Sequence, residues 1–312
     1  MTFTTALLWL TFTGLVATPP PHVATLPLVP VIHSGTPMTP DAGKGAAATV
    51  TLAFANESGG ESHCTGVLIA PRVVLTAAHC FIGVSDGKVR GEPGADLAAR
   101  IVDWRLNPLY PKDKTVVLKD VSTDRFRQVF GSDLAVALID RDLPGRTPAV
   151  IADERFSIAY DADRAAFIVR GHERDAMLRV TGDLAEAPIT TVRQNAGAYL
   201  FSAKMEGDSG WCVRDSGGPV MITVTGSDGV DRAYLIGIAV AAYGDPILPK
   251  AGAKATKEAW GSMDKVPLCT KDVLFRSVHM PMRWIDEAIA TFRAGSGEVL
   301  KIDRATFPAR YL

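Results

Sequence analysis

Residues 206 to 220 read EGDSGWCVRDSGGPV. The stretch carries Asp-Ser-Gly twice, at Asp208-Ser209-Gly210 and at Asp215-Ser216-Gly217. A serine presented on such a tight turn is a candidate nucleophile, and at most one of the two can serve. Their surroundings differ. The second copy has Cys212 four positions before its serine and Gly217-Gly218-Pro219 around and after its glycine, a turn composition. The first copy runs instead into Gly210-Trp211.

A serine hydroxyl is a weak nucleophile at neutral pH. It needs an imidazole to take its proton and a buried carboxylate to fix the imidazole tautomer. Two strings upstream supply those groups: LTAAHC, which holds His79 and ends at Cys80, and DLAVALID, which begins at Asp133. The chain order is therefore His, Asp, Ser. The remaining histidines (His22, His33, His63, His172 and His279) have no comparable context, nor have Asp103, Asp120 and Asp140.

Around these motifs the chain has 312 residues, 47% hydrophobic and 21% charged, enough to bury a large core. Its net charge of -1 offers no clustered positive field for nucleic acid or an anionic membrane. With scattered histidines, no HExxH and no CxxC, no metal site or cofactor is expected. The first charged residue is Asp41, and the apolar run Ala6 to Ala17 has the length of a signal-peptide core. Residues 1–17 are thus expected to be a signal peptide, and the proline-rich residues 18–31 a pro-segment or linker. Export would place the chain outside the cytoplasm, with no stable membrane insertion after processing. The four cysteines, Cys64, Cys80, Cys212 and Cys269, then favour two disulfides, for which spacing allows three pairings.

The body reads as short strands. Gly66–Ala70 and Val73–Thr76 flank a Pro-Arg turn, and Ala77-Ala78-His79-Cys80 breaks the β pattern with a helical turn. Asp133–Asp140 is apolar on both faces, as in a strand buried on both sides. Pro219–Thr225 and Ala233–Val240 form a second hairpin pattern. Such spacing predicts an all-β sandwich or barrels. One amphipathic helix is expected, with Trp284, Ile285, Ala288, Ile289 and Phe292 on one face and Gly295 as its stop. Residues 243–272 read as a long surface loop, and 294–312 carry no pattern.

The strings TAAHC, Asp133 opening a buried strand, Cys-x-x-Asp-Ser-Gly-Gly-Pro and a terminal Trp-Ile helix together resemble the chymotrypsin/trypsin-like serine proteases (peptidase family S1). The resemblance covers about residues 32–292. It implies two six-stranded antiparallel β-barrels followed by a C-terminal helix. The protease domain would span 32–293, with barrel one at about 32–145, barrel two at 146–280 and the helix at 282–293. It also implies a secreted serine endopeptidase acting on protein or peptide substrates. His79 would be the general base, Asp133 its orienting carboxylate and Ser216 the nucleophile, which leaves Ser209 outside the chemistry. The main-chain N–H groups of Arg214 and Ser216 would form the oxyanion hole. By the same resemblance Cys64 pairs with Cys80 and Cys212 with Cys269. A cut before Ile32 would free an amine to pair with Asp215, although Val31 is not the basic residue usual there.

Two departures follow. The family has glycine where this chain has Arg214, and a residue with Cβ fits poorly where the backbone needs glycine's freedom. The outcomes are accommodation, reduced activity, or a loop that opens only on substrate. Gly210 stands where a basic-specific enzyme has Asp, so a small or apolar residue before the cut is expected; Asp208 lies nearby. The pocket wall falls either on Val240-Ala241-Ala242 or on Ala242-Tyr243-Gly244. The alternatives to an endopeptidase are a catalytically weak or inactive homologue acting as a binding module, which Arg214 motivates, and an esterase.

Overall fold

The computed structural model describes residues 36–37, 46–56, 61–90, 98–111, 128–152, 165–174, 180–194, 200–207, 209–212, 214–225, 229, 231–247, 254, 257–258, 269–278, 282–296 and 300–305. Its strands in chain order are β1 (Thr36–Pro37), β2 (Thr49–Asn56), β3 (Glu61–Ala70), β4 (Val73–Thr76), β5 (Val84–Arg90), β6 (Ala99–Leu106), β7 (Ala135–Ile139) and β8 (Ile151–Ala152). There follow β9 (Ala165–Arg174), β10 (Val180–Gln194), β11 (Leu200–Met205), β12 (Trp211–Cys212), β13 (Pro219–Thr225), β14 (Asp231–Pro246), β15 (Cys269–Ser277) and β16 (Arg304–Ala305). The α-helix Met282–Ser296, α1, lies between the last two strands.

Two closed barrels result. Barrel one runs β2-β3-β4-β7-β6-β5 and returns to β2. Barrel two runs β15-β11-β10-β9-β13-β14 and closes through the β14–β15 pairing. Closure leaves neither ring an open edge. Both expected hairpins are present, as β3–β4 and β13–β14.

Each barrel has its own interior. Val50, Leu52, Phe54, Leu68, Val74 and Ile139 belong to the cluster of barrel one. Val169, Ala187, Trp211, Ile222, Val273 and Phe275 belong to that of barrel two. A third cluster joins the outer faces of both barrels to α1 through Val67, Leu75, Met221, Ile238, Ile285 and Phe292. The helix enters through its apolar stripe, with Ile285, Ala288, Ile289 and Phe292 all buried. Each such large side chain contributes about 1.5–3 kcal/mol relative to exposure.

One stretch departs from expectation. The expected surface loop 243–272 is strand at both ends, because β14 continues to Pro246 and β15 starts at Cys269 with Tyr243 opposite Asp272. Of the patternless tail, residues 300–305 pack onto the fold: Leu300 is buried, Arg304 pairs with Asp286 of α1, and β16 lies parallel to β8. The helix also runs three residues past the expected end. No helix among the described residues is long and apolar enough to cross a membrane. Residues 1–31, to which the signal peptide and pro-segment were assigned, lie outside the described residues.

Candidate active site

Barrel one holds the histidine and the aspartate. β4 ends at Thr76, and the short 3-10 turn Ala78–Phe81 carries His79. Asp133 sits at the foot of β7, buried to 1% exposure. Its Oδ1 accepts the His79 main-chain N–H at 2.9 Å. Its Oδ2 lies 2.7 Å from His79 Nδ1. A carboxylate can only accept when ionised, so Nδ1 carries the proton and Nε2 is left as the acceptor. Desolvation pulls the imidazole pKa down, but the Asp133 charge and hydrogen bond outweigh it and hold it above the ordinary histidine value. The ring edge stays open, with 36% of the side chain exposed. Burial and the same Asp133 charge push the Tyr110 phenol well above its usual range.

Asp133 is itself held by a helical turn at 128–131. Ser132 Oγ donates within that turn to Gln128 O and reaches the Leu109 carbonyl at 3.2 Å. The Asn107 N–H donates to Leu134 O at 2.9 Å. The carboxylate is thus fixed from both sides in sequence.

Barrel two brings Ser216 on the loop between β12 and β13, where the serine is 8% exposed. The loop is wedged into the seam between the barrels. Thr65 N–H of β3 donates to Ser216 O at 2.8 Å, and Gly217 N–H donates to Ala239 O of β14 at 2.7 Å. Gly217 has φ +86, and a Cβ there would come within 2.0 Å of Thr76 Oγ1 and 2.1 Å of Thr65 O. Only glycine fits this approach. Cys80 Sγ lies 3.9 Å from the Ser216 carbonyl oxygen. The Ser216 loop therefore lies against the turn that carries His79 and Cys80. Among the described residues no hydrogen bond joins Ser216 Oγ to His79 Nε2.

Arg214 is the only non-glycine with positive φ among the described residues, at +90°. The loop keeps a glycine-type backbone although the residue carries a Cβ, and the side chain is exposed. Such a conformation costs of order 1–3 kcal/mol. Among the described residues neither the Arg214 nor the Ser216 N–H has an acceptor.

Asp215 is fully buried. Its Oδ2 accepts the Cys212 N–H at 2.9 Å, and its side chain abuts Gly171 of β9. Gly171 pairs with Ala185 of β10, which pairs in turn with Pro37 of β1. Next to this path the buried Arg170 guanidinium donates through Nε and Nη2 to Glu186 Oε2 at 3.0 and 2.9 Å. Cys64–Cys80 and Cys212–Cys269 are disulfides. Cys64, His79 and Cys80 bring ligand-type atoms within 4.8 Å of one another. The disulfide occupies both sulfurs and Asp133 occupies Nδ1, so the cluster is a poor metal site.

The pocket candidates separate. Gly210 is buried, Val240 sits at the β14 bulge opposite Phe275 and Leu274, and its side chain joins the barrel-one cluster containing Ala77 and Ala78. Ala242 instead packs against the barrel-two cluster and lies opposite Val273 of β15. Asp208 and Ile32 lie outside the described residues. Sequence inspection gave no weight to Val273 or Trp211, since only the strand register and the packing place them beside the other site residues. Trp211 is fully buried, with its Cη2 2.9 Å from where a Cβ on Gly218 would stand.

Residues 40–255 match the family model described as Trypsin. The chain belongs to the trypsin family. Membership makes it a relative of serine peptidases, whose substrates are proteins or peptides. Among solved structures, one described as the structure of GrC superposes on this trypsin-family chain with a TM-score of 0.54 at 18% identity. The superposition covers 82% of this chain and 98% of that one, and at that identity it concerns the fold alone.

Proposed function

We propose that this trypsin-family chain is a secreted serine endopeptidase that hydrolyses peptide bonds through an acyl-enzyme. The observation that carries this is the buried Asp133 holding His79 by both ring and main chain, on a turn whose Cys80 lies against the Ser216 main chain. Nε2 takes the Ser216 proton as Oγ attacks the scissile carbonyl, and the same proton passes to the leaving amine. Asp133 stabilises the imidazolium formed between these events. The developing oxyanion is received by the N–H groups of Arg214 and Ser216, and one such donor is worth about 100- to 1000-fold in rate. The glycine-type backbone at Arg214 favours a working enzyme over a purely binding homologue.

Maturation by a cut before Ile32 fits the strand pairing around Asp215. Thr36 of β1 lies opposite Glu186 of β10, two strand spacings from β9, or about 10 Å. Residues 32–35 span up to about 13 Å when extended, enough for a freed amine to reach the carboxylate. A buried amine and carboxylate each avoid a large desolvation cost only when paired. Gly210, with no charge to offer, and Ala242 facing Val273 favour small or apolar residues before the cut.

Incubating the purified mature protein with a fluorophosphonate and mapping the adduct tests the reading. The expected result is labelling of Ser216 that disappears in His79→Ala. Correctly processed protein with neither label nor peptide turnover would sink it.

A further inference from the structure

The face of β15 that looks away from the barrel-two interior carries Leu274 and Arg276, in alternation with the interior residues Val273 and Phe275. Arg276 is buried to 5% exposure, an unusual place for a guanidinium. Its Nε donates to the carbonyl of Gly131, and its Nη1 donates to Ser277 O at 2.9 Å. Gly131 closes the helical turn that ends two residues before Asp133. Leu274 shares a cluster with Phe130 of the same turn. A cation from barrel two therefore grips, through one carbonyl, the barrel-one segment that delivers the buried carboxylate.

We infer that Arg276 is a positioning residue: it clamps the 128–133 turn onto β15 and so fixes Asp133, and through Asp133 the His79 ring. The inference rests on the proposed peptidase function. It explains why a planar group with several fixed donors stands here, since two main-chain carbonyls on different elements are held at once. Displacement of Asp133 leaves substrate contacts intact but spoils the alignment of the base. The loss then falls on kcat and not on KM.

The test compares mature wild type with Arg276→Met, Arg276→Lys and Gly131→Ala. The last keeps the carbonyl and adds a Cβ into open space. Arg276→Met is expected to lower kcat and the rate of Ser216 labelling by about 10- to 100-fold at nearly constant KM. Arg276→Lys should fall between it and wild type, and Gly131→Ala should match wild type. The low-field proton resonance of His79 Nδ1–H should broaden or move in the same order. If Arg276→Met does not fold, Arg276→Lys is read alone. Unchanged kcat and an unchanged resonance in a folded Arg276 variant overturn the clamp, as does a KM rise that accounts for the whole loss. Failure of wild type to label would defeat the peptidase reading only, and the resonance would still judge the clamp.

Discussion

Barrel one is a bare ring of six strands, while barrel two carries β1, β8, β12 and β16 in addition to its ring. The division of chemistry follows the division of architecture. Barrel one holds His79 and Asp133 as a finished pair within one unit. Barrel two provides Ser216 on a loop pinned by Cys212–Cys269 and by contacts across the seam. Each disulfide lies within one barrel, so no cross-link joins the His79–Asp133 pair to the Ser216 loop. Under the proposed chemistry the acid-base pair is a local property, and its alignment with Ser216 is a property of the interface.

Asp133→Asn attacks the barrel-one pair directly and should have the largest effect, about 10⁴-fold in kcat, because the wrong imidazole tautomer then faces Ser216. It should also move the pH profile. In wild type the pKa of His79 is raised, so activity, which needs the neutral ring, should appear only above the ordinary histidine value. Removing the Asp133 charge leaves desolvation and shifts that limb to lower pH. Stability runs the other way. The ion pair's contribution is complete below the unfolded-state histidine value and is lost as pH rises through the raised one. Rate–pH profiles of the two proteins, with denaturation at matched pH, check both signs.

The disulfides offer a second contrast. Cys64–Cys80 closes a separation of 16 residues and Cys212–Cys269 one of 57, so loop-entropy arguments assign them about 3 and 4 kcal/mol. Replacing each pair by serines and measuring unfolding in guanidinium should therefore hurt barrel two more. The reverse order would mean that barrel one, and not barrel two, relies more on its cross-link.

Arg214→Gly should have the smallest effect and the opposite sign. Relief of the +90° conformation, partly offset by the greater freedom of glycine in the unfolded chain, should stabilise by about 1 kcal/mol. Urea midpoints measure it. Ser216 labelling should persist, since the donors at this loop are main-chain groups.

The contrast between barrels also governs how much could be read beforehand. The strands of barrel one that flank the histidine are dense in Val and Leu and were legible as a hairpin. β9 to β11 were not, because alanine, proline and charged residues such as Arg170, Ala185, Ala187 and Pro188 dilute the alternation that marks a strand. Leu300 and Ile302 in the tail are single apolar residues without period, yet both pack at the third cluster. The candidates His79, Asp133 and Ser216 were visible because each stands in a compact local string. Arg276, Val273 and Trp211 were invisible, because their partners lie far off in the chain.

By itself the sequence determined the short-range features: the turn after Ser216 that demands glycine and the helical stripe of α1. Steric rules and periodicity act over a few residues, so they can be read from neighbours. Tertiary structure decided the rest: the path from Asp215 to β1, the bond between Arg276 and Gly131, and the φ of Arg214. Arginine left to itself favours negative φ. The loop, tied by Cys212 on one side and wedged at Gly217 on the other, imposes +90° on it, because the contacts on either side outweigh the preference of one residue.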